Sequence, residues 1–359
     1  MGGQSFDAFG ICCPVPLSQH TAVQMAHGGG GRLMRELIEG LFLPILGSCE
    51  PGRGTNPTPP HDSAVLELDG VRLAFTTDSF VVSPLVFPGG DIGKLAVYGT
   101  VNDLAMAGAK PLWLSASFVL EEGFAMETLR RVVQSMREAA DAAGVRIVTG
   151  DTKVVDRGKG DGVFINTAGI GRIPPGVDVS PLRVAPGDAI VLSGDLGRHG
   201  IAVMSLREGL HFEGAPESDC APLADMVQSL LGAGADLHCL RDLTRGGLAA
   251  ALNEIAADAG VGMELEEAAI RVSEPVAAAC ELLGLDPLYV ANEGRFIAIL
   301  PAELAARAVE VLRLHHAGRE AGVIGHVTRE HPGTVELRSP LGGARIVDFL
   351  SGEQMPRIC

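Results

Sequence analysis

Five short segments of this chain present an aspartate, four of them with glycine, threonine or asparagine close by. They are His61-Asp62-Ser63-Ala64-Val65, Thr76-Thr77-Asp78-Ser79, Val101-Asn102-Asp103-Leu104, Thr149-Gly150-Asp151-Thr152-Lys153 and Arg241-Asp242-Leu243-Thr244-Arg245-Gly246-Gly247. Carboxylates gathered around Mg2+ supply oxygen ligands and leave positions for phosphate and water. Taken singly, each aspartate reads as an N-cap or turn residue. Five together weaken that reading, although spacing alone does not show that they converge. Gly28-Gly29-Gly30-Gly31 precedes a helical pattern, where backbone N–H groups can face a phosphate. No Gly-Lys-Ser/Thr follows, so it is not a P-loop, and the dinucleotide fingerprint is absent. Flexible-loop glycines remain the alternative there, and for Gly246-Gly247 the alternative is the start of a helix close to its neighbour.

The sequence closes on Pro356-Arg357-Ile358-Cys359. A thiol on a chain end, where mobility is the rule unless the end docks, can be loaded at one site and carried to another. The alternative is an incidental end residue. Pro356 restricts the backbone ahead of the tip and helps present it extended.

The elements that must position these groups follow from periodicity and punctuation. Residues 1–26 are irregular, with Cys12-Cys13-Pro14-Val15-Pro16 opposing regular structure. Leu33, Leu37, Ile38 and Leu41 recur at helical spacing, Pro44 bounds that helix, and the stretch from Pro51 to Pro60 reads as a loop. Val71 to Val82 reads as a strand interrupted by Thr77-Asp78-Ser79. A helix from about Glu127 to Ala143, closed by Gly144, leads to a short buried strand Val145 to Val148 and then to the Thr149–Lys153 loop. A break is expected between Ile173 and Gly187. Beyond it come a strand at Ala189–Leu192, helices near 199–208, 246–259, 274–283 and 302–314, and strands near 294–300 and 322–327. A hairpin from Thr334 to Phe349 turns at Gly342-Gly343. This alternation predicts α/β layers in two domains: 27–180 and 181–349, preceded by an extension (1–26) and followed by a mobile tail (350–359). Extended, the tail reaches roughly 30 Å.

The length of 359 residues suits two domains, and 47% hydrophobic residues with only 4% aromatics give cores of Ala, Val, Leu and Ile. Lys and Arg total 28 against 44 Asp and Glu, a formal net charge of −16. That balance repels nucleic acid and anionic membranes, and a phosphate site must work against it through cations or local donors. Seven cysteines form neither a disulfide framework nor a zinc C-x-x-C pair, which favours a reducing cytoplasm. No apolar run is long enough to span a bilayer, and no secretory leader is expected. The ten histidines show no metal-ligand spacing and stay outside the predicted site.

In this order the acidic loops resemble a superfamily of ATP-using synthetases that includes aminoimidazole ribonucleotide synthetase, selenophosphate synthetase and thiamine-monophosphate kinase. A fuller set of segments is similar to one branch, the HypE family of hydrogenase maturation factors. These are residues 76–82, 87–94, 99–106, 149–155 and 241–248 together with the terminal Pro-Arg-Ile-Cys. The resemblance runs from about Gly28 to Cys359. It implies an aminoimidazole ribonucleotide synthetase-like α/β fold and a homodimer whose N-terminal sheets pair in a barrel, with ATP bound between the domains. The implied reaction is ATP-dependent dehydration of a carbamoyl group on the terminal cysteine to a thiocyanate. HypF delivers the carbamoyl, and the cyanide passes to iron on a HypC–HypD complex.

Transfer of a phosphoryl group to the amide oxygen turns a poor leaving group into a good one, and loss of phosphate and the N–H protons leaves S–C≡N. The resemblance implies Cys359 as the substrate-bearing residue and Lys153 and Glu293 as the proton-handling and charge-stabilising pair. It implies Asp62, Asp78, Asp103, Asp151 and Asp242 as Mg2+ ligands. Gly29, Gly30, Gly31, Thr77, Asn102, Thr152 and Thr244 are the implied supporting contacts to ATP. From the residues alone, Lys153 reads equally as a surface amine and Glu293 as a loop cap. Two other readings stay open. One is another synthetase of the superfamily such as selenophosphate synthetase, although Cys12-Cys13 precede Pro14 and lack a nearby lysine. The other is a non-catalytic carbamoyl carrier.

Overall fold

The computed structural model describes residues 22–46, 61–209, 214, 216–350, 355 and 357–359. The expectations for residues 1–21, Cys49, the 51–60 loop and Pro356 therefore lie outside the described residues.

Helical turns α1 (Arg32–Leu37) and α2 (Leu43–Leu46) follow the glycine segment, joined through a wider turn at Ile38–Phe42. The first sheet comprises β1 (Ala64–Leu68) and β2 (Val71–Phe80). After the small ribbon β3 (Val86–Phe87) and β4 (Gly90–Asp91) come helix α3 (Ile92–Met106), β5 (Lys110–Glu121), helix α4 (Met126–Ala142), β6 (Arg146–Val155) and β7 (Val163–Arg172). The order across the sheet is β1-β2-β7-β5-β6, antiparallel except for the β5–β6 pair.

Strand alternation divides β2 between two faces. Thr76, Asp78 and Phe80 lie on the face covered by α3, where Phe80 is fully buried. Phe75, Thr77 and Ser79 lie on the other. That second face is open: Leu66, Leu68, Phe75, Trp113, Val119 and Ile170 are each between 36% and 62% exposed.

The second sheet is seven-stranded, in the order β14-β13-β10-β12-β8-β11-β9. Its strands are β8 (Asp188–Leu192), β9 (Cys239–Asp242), β10 (Gly262–Glu266), β11 (Phe296–Pro301), β12 (Gly322–Thr328), β13 (Val335–Arg338) and β14 (Ala344–Val347). Ile190, Ile297 and Ile299 pack on one side against Leu248, Leu252 and Ile255 of α7 (Gly247–Ala259). Val191 and Ala298 face the other side, with α5 (Arg198–Arg207), α6 (Ala224–Gly232), α8 (Glu274–Leu283) and α9 (Ala302–Arg313). Both faces are covered, which is why β8 and β11 read as unbroken apolar runs. The same core continues through Met226 and Leu230 of α6 into Leu95 and Val101 of α3, so one apolar body joins the two halves.

Three expectations are corrected. Thr77-Asp78-Ser79 does not interrupt a strand; β2 runs through it in register with β7. Residues 101–104 are not a loop but the middle of α3, whose near-total burial removes the polar stripe that would mark a helix. Thr149–Lys153 is not a loop after a buried strand. It is the body of β6, an edge strand that is exposed nearly throughout and paired with β5 as far as Val155.

Candidate active site

Between the halves lies a cavity of about 400 Å3 that takes residues from both sheets. β2 brings Thr76, Thr77 and Asp78 to its wall, α3 brings Gly99 and Asp103, and the end of β9 brings Arg241 and Asp242. One carboxylate oxygen from each of Asp62, Asp103 and Asp242 lies within 4.8 Å of the others. Asp242 stands at the last residue of β9, against which α3 packs, so helix packing in the core sets the Asp103–Asp242 approach.

Burial, then the charges of Asp242, Asp62 and Asp78, push the Asp103 carboxyl well above the usual carboxylate range, against a hydrogen bond from Thr76 Oγ1 at 2.8 Å. Burial and then Asp62 do the same to Asp242, with Arg241 opposing. Asp78 is raised by burial, while Arg245 and the Ser79 N–H (2.7 Å) oppose that shift. Arg241 clamps one oxygen of Asp62 at 2.9 Å, and the other oxygen is buried without a partner. Like charges held this close, with an unpartnered oxygen among them, are the arrangement a divalent cation resolves. The donor set fits Mg2+: all oxygen, three carboxylates, next to room for phosphate.

Arg241 also pairs with Glu254, and Arg35 of α1 pairs with Asp258 at 2.9 Å and Glu39 at 2.7 Å. The glycine segment is seated against this wall. Gly30 has φ +75°, and a Cβ there would lie 2.5 Å from the Arg245 carbonyl oxygen, so glycine alone lets it approach. Gly30 and Gly31 line the main cavity, whereas Gly29 lines a small adjoining pocket with Met355 and Ile358.

Cys359 lines the cavity, 8% exposed, a main-chain oxygen of this terminal residue accepting from Val81 N–H at 2.9 Å. The tip of the tail is therefore seated. Glu293 lines the same cavity at 3% exposure, with Oε1 lacking any partner. Burial first, then Asp242, Asp78 and Asp219, push its carboxyl well above the ordinary range. The turn that carries it is fixed by main-chain bonds: Asp219 accepts from Gly294 N–H at 3.1 Å and Glu293 N–H at 3.4 Å. A Cβ on Gly294 would sit 2.0 Å from the Asp219 carbonyl oxygen. Burial, with Glu293, Asp78 and Asp242 adding, raises the Cys359 thiol above its ordinary value, and Arg245 opposes this. Arg245 is held in its charged form chiefly by Cys359 and then by Asp78 and Glu293. Its one side-chain hydrogen bond among the described residues goes to Gly28 O at 3.1 Å, so most of its donors face the cavity.

Of the residues singled out in the sequence, Gly30, Gly31, Asp62, Thr77, Asp78, Asp103, Asp242, Thr244, Glu293 and Cys359 meet at this cavity. Asn102 does not. Its amide is spent on the second half, Oδ1 accepting from Leu223 N–H at 2.8 Å and Nδ2 donating to Ala221 O at 3.1 Å. Asp151, Thr152 and Lys153 do not reach it within one chain. Register places Asp151 and Lys153 beside Ser117 and Val119, on the open face of the sheet. From β2 to β6 is three strand spacings, roughly 14 Å. Lys153 binds the Asp151 carboxylate at 2.6 Å, and both side chains are more than half exposed.

Among the cavity residues that sequence reasoning passed over are His61, Thr76, Arg241 and Arg245. Strand alternation around Asp78 marks Thr76, and Arg241 and Arg245 flank Asp242 within its own motif. His61 had no ligand spacing to reveal it, yet its Nε2 is buried in the wall without a partner.

Comparison with known proteins places this geometry. Residues 60–173 match the N-terminal domain of AIR synthase related proteins, and residues 185–338 match their C-terminal domain. The carbamoyl dehydratase HypE of Azotobacter vinelandii is 55% identical over 338 residues, 94% of this chain and 97% of that protein. A crystal structure of hydrogenase maturation protein HypE in complex with ATP superposes with a TM-score of 0.79 at 47% identity, covering 94% of this chain and all of that one. HypE in a crystallised HypE–HypF complex gives a TM-score of 0.80 at 46% identity, over 88% and 99% of the two chains. The chain belongs to the HypE family of carbamoyl dehydratases.

Proposed function

We propose that this protein uses ATP to dehydrate a carbamoyl group carried on Cys359, giving a cysteinyl thiocyanate, ADP and phosphate. The observation that carries the reading is the seating of the Cys359 thiol in one cavity with an acidic triad and an orphaned, proton-seeking carboxylate. A group on Sγ projects among Glu293, Arg245 and Asp78. Glu293 Oε1 has no other partner and accepts one carbamoyl N–H proton, the second leaving with the expelled phosphate. Arg245 offsets negative charge as the amide oxygen takes the phosphoryl group and leaves as phosphate. Asp62, Asp103 and Asp242 would hold Mg2+, with Asp78 beside them, and a bound ion would neutralise phosphate charge. Thr244 adds a hydroxyl to the same wall, which Thr77 also lines, its own hydroxyl donating to Thr167 O at 3.2 Å.

We assign residues 27–180 to ATP binding and dimerisation and 181–349 to the domain that supplies Asp242, Arg245 and Glu293. The open apolar face of the first sheet is what supports a homodimer, since contiguous exposed apolar surface marks an interface. A second copy laid on that face covers Phe75 and Trp113. It also places Asp151, Thr152 and Lys153 at the joint between subunits, where they complete a site in trans. HypF loads the thiol, and iron on a HypC–HypD complex takes the cyanide. The protein works in the cytoplasm, where the described cysteines persist as thiols; no described helix is long and apolar enough to cross a membrane.

The test is ATP turnover in the presence of HypF and carbamoyl phosphate. Turnover stoichiometric with thiocyanate on Cys359, absent in Cys359→Ala, is expected. ATP binding without turnover under full carbamoyl loading identifies a carrier instead. ATP-dependent phosphorylation of selenide identifies the other synthetase.

A further inference from the structure

Ile358 and Cys359 pack into the apolar core, and the polar contacts that hold the tip of the tail go mostly to its main chain. His199, completely buried at the start of α5, places Nε2 2.9 Å from the carbonyl oxygen of Ile358 and Nδ1 2.8 Å from Ser218 Oγ. A carbonyl only accepts, so Nε2 carries the proton and Nδ1 accepts from the serine hydroxyl. Burial lowers the proton affinity of this imidazole, which suits the neutral tautomer. At the other end of α5, Arg207 donates to the Arg357 carbonyl at 2.9 Å and to Ser83 O, tying tail and body together. Val81 N–H reaches Cys359 O at 2.9 Å and Ser83 N–H reaches Arg357 O at 3.4 Å. One side chain of the tip is read by polar groups: Arg357 donates to Val81 O at 3.0 Å and pairs with Asp161. The peptide carbonyls of 357 and 358 and a main-chain oxygen of the terminal Cys359 are thus all engaged, and Cys359 is 8% exposed.

We propose that His199 and Arg207 form a clamp that positions Cys359 for dehydration and whose opening limits the thiol's exchange with outside reagents. Both residues lie on α5, so one rigid element sets the tail's depth in the cavity. The clamp grips peptide carbonyls and leaves Sγ unengaged. A carbamoyl or cyano group on sulfur alters none of these bonds, so the same clamp serves the bare, loaded and dehydrated tail. The thiol is seated deep in the cavity, where an acylating partner reaches it only with the tail withdrawn. The positioning claim rests on the dehydration reading above; the gating claim does not.

The experiment follows iodoacetamide labelling of the native full-length protein by peptide mass spectrometry, with Arg207→Ala, Arg207→Lys, His199→Gln and wild type compared. Loss of such a hydrogen bond corresponds to about a tenfold rise in the open fraction, so Cys359 labelling should rise about tenfold in Arg207→Ala and in His199→Gln. Arg207→Lys should restore part of the protection. Buried Cys239 reports folding in the same spectrum, and a variant that labels there is set aside in favour of the other. Dehydration of preloaded carbamoyl in a single turnover should fall by a similar factor at unchanged KM for ATP. Cys359 labelling at the wild-type rate in both substituted clamps, with Cys239 protected, overturns the proposal. Raised labelling with no thiocyanate even in the wild type rejects the dehydration reading while the gate stands.

Discussion

In the proposed reaction, Glu293 is the residue on which the chemistry turns. A buried carboxylate with one oxygen unpartnered and three acidic neighbours takes up a proton readily, which is what the carbamoyl N–H must find. Glu293→Gln keeps the shape and removes the acceptor. Its thiocyanate formation should fall by about 10²–10⁴-fold while carbamoyl loading continues, as single-turnover product analysis will show. Because the base must be ionised, the wild-type rate should rise with pH through a value above the ordinary carboxylate pKa of about 4. A pH-independent rate across that range would remove Glu293 from the proton transfer.

The acidic triad gives a second residue-scale outcome. The folded-state proton affinities of Asp103 and Asp242 are raised, so their stabilising contribution is present below the ordinary carboxylate pKa. It is lost as pH rises through the folded value. Chelated protein should accordingly lose thermal stability as pH rises from the ordinary carboxylate pKa of about 4 toward the alkaline side. Added Mg2+ should recover it at the upper end. Asp103→Asn should melt a few degrees higher than wild type in chelator at neutral pH and gain less from Mg2+, measured by calorimetry. A melting temperature lower than wild type in chelator would show that Asp103 is not strained by its neighbours.

At the scale of elements, loops and strand ends carry the groups and rigid packing fixes their aim. The Glu293 turn depends on Gly294 lying against the Asp219 carbonyl, so Gly294→Ala should shift the turn and lower dehydration at least as much as stability. Circular dichroism melting beside single-turnover assay separates the two; activity retained with a lowered melting point would contradict it. Periodicity made α4, α7, α8, α9 and the final hairpin legible to within one or two residues. It failed for α3, whose burial on all sides leaves no apolar stripe to count, and so Asn102-Asp103 looked like a turn. It failed for β6 as well, because Gly-Asp-Thr carries turn chemistry that sheet pairing with β5 overrides. Of the candidate site, the acids were visible as motifs. Their meeting was not, because Asp62, Asp103 and Asp242 converge through the packing of α3 on β9, a contact with no local signature.

The whole molecule shows one chain with a nearly complete site and an open sheet face. Lys153 lies on that face, away from Glu293 and Cys359 of its own chain. If subunits complete one another, Lys153→Ala and Cys359→Ala proteins, each inactive, should recover up to about a quarter of wild-type activity on mixing. Statistical exchange gives half heterodimers, each with one intact site. Sedimentation of the wild type should give a dimer, and a charge on the apolar face, such as Trp113→Glu, should dissociate it. No recovery on mixing, with exchange verified, would rule out completion of the site in trans by Lys153.

The central claim is that Cys359 is both seated and transformed in the cavity. It is tested most directly by mass spectrometry of the Cys359 peptide after incubation with HypF, carbamoyl phosphate, ATP and Mg2+. The account predicts a carbamoyl adduct on Cys359 that loses one water only when ATP is hydrolysable. An adduct that persists unchanged while ATP is consumed, or a thiocyanate formed on another cysteine, would contradict it.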